Sequence, residues 1–184
     1  MPLIAPHGGT LVDRIPTGRE RESLVERAAR AAAVTLDPWA LADLELIATG
    51  AASPLTGFVG EADYRAILAD LRLASGLPWS IPLTLRVDRA VARLLASHRR
   101  GDDLALRAPD GTTVGLLAVR EVYHADHEAE ARVVYGTADP AHPGVRQLLT
   151  LGDHAVAGDV WLLARPANPP RRVLTPSRDA RRPR

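Results

Sequence analysis

The sequence predicts an α+β domain in which short helices accompany a small, barrel-like mixed sheet. Two observations carry this. Short runs of alternating apolar residues, such as Ile81, Leu83, Leu85 and Val87, are separated by turn-forming residues such as Pro109-Asp110-Gly111. Between them lie helical stretches that begin with capping residues, and no internal repeat orders them into an array. At 184 residues the chain is one ordinary domain, or a small domain with an appendage, and is long enough to bury a core.

Taken in order, Pro6-His7-Gly8-Gly9 predicts a sharp turn before a short apolar strand at Leu11 and Val12. Thr17 and Glu20 have the spacing of a capping box, ahead of a helix through Leu24, Val25, Ala28, Ala29 and Ala32. Asp37-Pro38 reads as an N-cap with proline at the first helical position. The helix it starts runs through Leu41, Leu44, Ile47 and Ala48 and stops at Gly50, a residue free to adopt the left-handed cap. A tight loop, Ser53-Pro54-Leu55-Thr56-Gly57-Phe58, holds the only phenylalanine, and a second helix opens near Glu61 and Asp63.

Beyond that helix the alternation at 81–87 argues a half-buried strand, with Pro82 at its entry. Asp88 can cap a short helix to about Leu95, and Arg100-Gly101-Asp102-Asp103 turns the chain. Leu104–Arg107 and Thr113–Tyr123 form a hairpin, Glu128–Val134 a short helix, Pro143–Leu149 another, and Val160–Leu163 a final strand.

Composition excludes several classes. No cysteine occurs, so there is no disulfide framework, thiolate nucleophile or Cys-ligated zinc. No basic-then-apolar leader opens the chain and no run approaches the roughly 20 apolar residues of a membrane span, so a cytoplasmic protein without membrane partners is expected. The net charge of +1 is unevenly spread: Arg165 to Arg184 carry +6, leaving −5 for the rest. Five prolines and no apolar periodicity predict a largely disordered tail over 166–184, set apart from a globular part over 1–165.

Several motifs in sequence order carry a family resemblance. Pro6-His7-Gly8-Gly9-Thr10-Leu11-Val12, Asp43-Leu44-Glu45-Leu46-Ile47, Ser53-Pro54-Leu55-Thr56-Gly57-Phe58, Trp79-Ser80-Ile81-Pro82-Leu83-Thr84-Leu85, and Tyr135-Gly136-Thr137 with His142-Pro143-Gly144-Val145 together resemble the N-terminal, PUA-like domain of ATP sulfurylase (sulfate adenylyltransferase). Ser75 stands where asparagine is usual. In that family the domain precedes a nucleotidyltransferase domain, where sulfate attacks the α-phosphate of Mg-ATP to give adenylyl sulfate and pyrophosphate. Catalysis there rests on a Q-x-R-N-P loop, an H-x-x-H and a G-R-D loop. Leu174-Thr175-Pro176 resembles the opening of the linker to that domain, and Ser177–Arg184 then departs from the family.

The resemblance therefore implies no catalytic, cofactor-binding or metal residue in this chain, Mg-ATP belonging to the absent domain. It marks His7, Gly8, Gly9, Asp43, Ser53, Pro54, Gly57, Phe58, His142, Pro143 and Gly144 as structural or interface positions. The implied role is a truncated or accessory docking domain in sulfate activation, whose partner is a separately encoded catalytic domain or a second copy. The alternative is a stand-alone PUA-like RNA-binding module: the arginines could neutralise phosphates, but the tail has no aromatics for stacking and the body is acidic.

Three look-alikes read more simply. His124-Ala125-Asp126-His127-Glu128 could ligate a metal, but matches no helical zinc motif and reads as a solvated turn. Gly152-Asp153-His154-Ala155 echoes G-R-D-H-A without its arginine, and His142-Pro143-Gly144 opens a helix. His7-Gly8-Gly9 lacks the lysine and spacing of a phosphate loop.

Overall fold

The computed structural model describes residues 4–95 and 102–165. The chain divides into two units, one of residues 4–58, 102–119 and 158–165, the other of 59–95 and 120–157. The predicted tail and the first half of the Arg100–Asp103 turn lie outside the described residues.

In the first unit, α1 (Gly18–Arg30) leads into β1 (Ala32–Thr35), then α2 (Pro38–Thr49) and β2 (Gly57–Phe58). The hairpin of β4 (Asp103–Arg107) and β5 (Thr113–His124) is antiparallel as predicted, and β1 adds to it in parallel, Ala33 opposite Ala105. β6 (His154–Leu162) completes the path β1-β4-β5-β6-β2. The sheet is mixed, as expected, but it is an open path and not a closed barrel. Leu24 and Ala28 of α1 pack on Ala105, Leu116 and Leu163, which gives α1 its buried stripe.

The second unit contains α3 (Glu61–Asp70), β3 (Leu85–Val87), α4 (Arg89–Leu95), α5 (His127–Tyr135) and α6 (Pro143–Leu148). β3 pairs antiparallel with the start of β6, Leu85 opposite Val156. Ala131, Val145 and Leu148 form an apolar seam between α5 and α6.

Local chemistry explains the boundaries. The Asp37 carboxylate accepts from the amides of Trp39 and Ala40, and Gly50 ends α2 at φ 86°. Asp88 accepts from Val91 N at 2.8 Å at the start of α4. Asp126 caps α5 through Glu128 N and Ala129 N, so the His124–Glu128 stretch is a helix start.

Five expectations are corrected. The Thr17/Glu20 capping box does not form: Thr17 is the N-cap but its hydroxyl caps nothing. Leu11 and Val12 form no strand, because the amide of Val12 is taken by the Ser53 hydroxyl and not by a neighbouring backbone. Residues 32–35 leave the helix for β1, where register with β4 outweighs the helical preference of alanine. The alternating strand at 81–87 shrinks to Leu85–Val87, with all three residues buried and Ile81 exposed. β6, in turn, begins at His154, six residues before the predicted strand.

Candidate functional site

The loop after α2 is built from small residues because the backbone crowds there. Gly50 could not carry a side chain: a Cβ would sit 2.4 Å from the Val12 carbonyl oxygen. The Ser53-Pro54 peptide is cis. The Ser53 hydroxyl, itself buried, receives the Val12 amide at 3.0 Å and donates to the Gly50 carbonyl at 2.7 Å, tying the N-terminal segment to the end of α2. Gly57 passes so close to Gly158 that a Cβ would meet the Gly158 oxygen at 1.7 Å. Phe58 is completely buried. Beside this loop Asp159 accepts from the Thr56 hydroxyl at 2.5 Å and from Arg14 at 3.3 Å, and the Arg14 guanidinium lies 5.2 Å from the centre of the Trp161 ring.

The other signature residues are spread apart. His7, Gly8 and Gly9 form an exposed turn in which Gly9 N donates to the Pro6 carbonyl, with both glycines at positive φ. His142 caps α6 by accepting from Gly144 N at 3.2 Å, and Pro143 takes the first helical position. Gly144 lies against the Tyr135 ring, 2.5 Å from where its Cβ would be, and Tyr135 stacks on His142 at 5.1 Å. Asp43 is half-buried on α2 and has no hydrogen bond or ion pair among the described residues. Burial, and then the nearby Asp37 carboxylate, push it up to about 7.

The alternation pattern hid one cluster in the second unit. It placed Arg86 on the solvent face of a strand, yet its side chain is 1% exposed and forms an ion pair with Glu130 of α5. The Arg86 Nε donates to the Thr84 hydroxyl at 3.0 Å, and its guanidinium lies 5.7 Å from the centre of the Tyr64 ring. Tyr64 in turn sits 5.5 Å from Tyr123, whose hydroxyl donates to the Val59 carbonyl at 3.0 Å. Burial raises both phenols above their ordinary values and also raises Glu130, opposed there by Arg86. The signal in the sequence was the charge itself: Arg86 stands between Leu85 and Val87 in a segment otherwise free of charge from Leu73.

His127 turns its Nε2 to the Gly152 carbonyl at 3.1 Å, and burial lowers its pKa. Gly152 is where it is because a Cβ would overlap the Val87 carbonyl at 1.9 Å. A cleft of about 500 Å³ near α5 is lined by His127, Thr137, Asp139 and Val145, with Glu128 and Arg132 paired on each other at 2.6 Å. Among the described residues no three His, Asp or Glu side chains are grouped to hold a metal, and no helix is long and apolar enough to cross a membrane.

The described residues thus combine glycine-keyed packing, a signature loop without acid or base, and a charge pair neutralised inside the fold. The chain belongs to the PUA-like domain family, which matches residues 4–165. Its relatives define it further. It is 53% identical over 166 residues to a sulfate adenylyltransferase of Symbiobacterium thermophilum, covering 90% of this chain and 42% of the relative. It is 49% identical over 175 residues to that of Chloroflexus aurantiacus, covering 95% and 43%. Among solved structures it resembles a hexameric APS kinase from Thiobacillus denitrificans, with TM-score 0.66, 32% identity, and 91% of this chain but 28% of that one covered. The chain thus spans about two fifths of the length of the curated relatives it matches.

Proposed function

We propose that this chain is a docking and scaffold domain of the sulfate-activation machinery, which works by holding a nucleotidyltransferase partner and does not itself adenylylate sulfate. The observation that supports it most is the pairing of 53% identity to a sulfate adenylyltransferase with coverage of only 42% of that protein. The residues agree with it. The signature loop offers hydroxyls and backbone but no nucleophile, base or phosphate cradle, and the buried Arg86 is committed to Glu130 and Thr84. Adenylyl transfer needs cationic groups aimed at the reacting phosphates, and an arginine already paired inside the fold cannot supply one.

The purified chain given ATP, sulfate and Mg²⁺ should release no pyrophosphate above a blank; release that scales with protein concentration overturns the reading. The scaffold role has its own test. Added to a sulfate adenylyltransferase fragment lacking its PUA-like domain, the chain should co-elute and raise its activity, whereas neither effect at micromolar concentrations removes the docking role. Because the structural relative is hexameric, light scattering of the chain alone separates self-association from docking on a different domain.

A further inference from the structure

One face of α2 is unlike the others. Helical spacing places Trp39, Ala42 and Leu46 in a row, and all three are exposed, Trp39 at 61% and Leu46 at 39%. The opposite side of the same helix, Ala40, Leu44, Ile47 and Ala48, is fully buried, so this apolar ridge is not the helix's core stripe. Acids rim the ridge on both sides, Asp43 on one and Glu45 on the other, and α2 holds no basic residue. Asp43 is half out of water with no cation beside it among the described residues, an arrangement that a guanidinium would relieve.

The chain carries such a cation within reach. Residues 166–184 lie beyond the described structure and hold six arginines, with Pro169-Pro170-Arg171-Arg172-Val173-Leu174 in the first half of the segment. Where the chain leaves the fold is also fixed. Leu162 N donates to the Arg14 carbonyl, and Arg14 N donates to the Ala48 carbonyl, each at 2.9 Å, so the end of β6 is one segment away from the end of α2. From Ala48, Asp43 is about 7 Å along the helix axis. The stretch from Arg165 to Arg172, extended, spans roughly 25 Å, enough to cross that segment and arrive there.

We propose that segment 166–184 docks on the exposed face of α2, with Arg171 and Arg172 against Asp43 and Glu45 and the prolines and Val173-Leu174 against Trp39 and Leu46. The match is chemical on both counts: polyproline segments settle on exposed aromatic rings, and flanking arginines fix them through carboxylates. It also places a segment of net charge +5, six arginines against Asp179, on an acidic patch of a body that carries −4.

Because the protein has no cysteine, a single Ser177→Cys change gives one attachment point for a nitroxide. In the ¹H–¹⁵N spectrum of the labelled full chain, the signals of Ala42, Asp43 and Leu46 should lose intensity. That loss should vanish in the Arg171→Gln/Arg172→Gln variant and in 1 M salt, where charges are screened beyond about 3 Å. Undiminished loss in that variant, or no loss on α2 at all, overturns the proposal. So does loss seen only when a nitroxide-bearing ¹⁴N chain is mixed with an unlabelled ¹⁵N chain, which assigns the face to a second copy.

Discussion

A carboxylate that rests half-buried near another acid makes the fold sensitive to pH, and the sign follows from the direction of its shift. Asp43 titrates near 7 in the folded chain and at the ordinary aspartate value in the unfolded one, because burial and Asp37 disfavour its charge. Below about 4 both states hold the proton. Between there and about 7 only the folded state does, so stability falls as pH rises through that window and levels off above it. Asp43→Asn should therefore raise the melting temperature at pH 7.5 and leave it nearly unchanged at pH 4. The scan belongs in high salt, where tail arginines do not mask the effect; an equal shift at both pH values would show that the carboxylate is unperturbed. Phe58 sits at the same scale. Its ring is completely enclosed, so Phe58→Ala should cost roughly 3–5 kcal/mol in urea unfolding, and a loss below 1 kcal/mol would contradict the burial.

At the scale of elements, the buried pair joins β3 to α5. Removing one partner leaves the other charged and enclosed, so Arg86→Met or Glu130→Gln alone should destabilise by about 3–5 kcal/mol. The double variant should recover part of that loss, and additive losses in the unfolding cycle would mean the two side chains do not interact. This contact also shows why some of the fold could be read from the sequence and some could not. The capped ends of α2 and α4, the Pro109-Asp110-Gly111 hairpin and the start of α6 were legible because their determinants lie within three or four residues. Arg86 was misplaced because alternation assumes one wet face, while β3 is covered on both by side chains distant in sequence. β1 was missed for a related reason: Ala32–Thr35 gains its strand only from β4, seventy positions on.

For the molecule as a whole, most positions of the motifs that mark the family are packing positions, Asp43 and Glu45 being the charged exceptions. Ser53, Gly57, Phe58 and Gly144 mark places where backbones or rings come too close for any alternative, so they remain readable in a single chain. A surface leaves a weaker trace in the sequence than these packed positions do. The exposed row on α2, rimmed by Asp43 and Glu45, is one example: it is defined by which side of that helix is buried, and that depends on distant residues.

The approach of Gly57 to Gly158 has one more consequence. β2 is only two residues long, too short for its own hydrogen bonds to choose a register on β6. On its other side Gly158 comes within 2.0 Å, at its missing Cβ, of the Ala118 carbonyl on β5. A slip of one position would push Ala157 or Asp159 into that gap, or put the Phe58 side chain where Gly57 now faces the Gly158 carbonyl, and none of them fits. The pair works as a key cut for one lock: strand alignment here is chosen by two absent methyl groups.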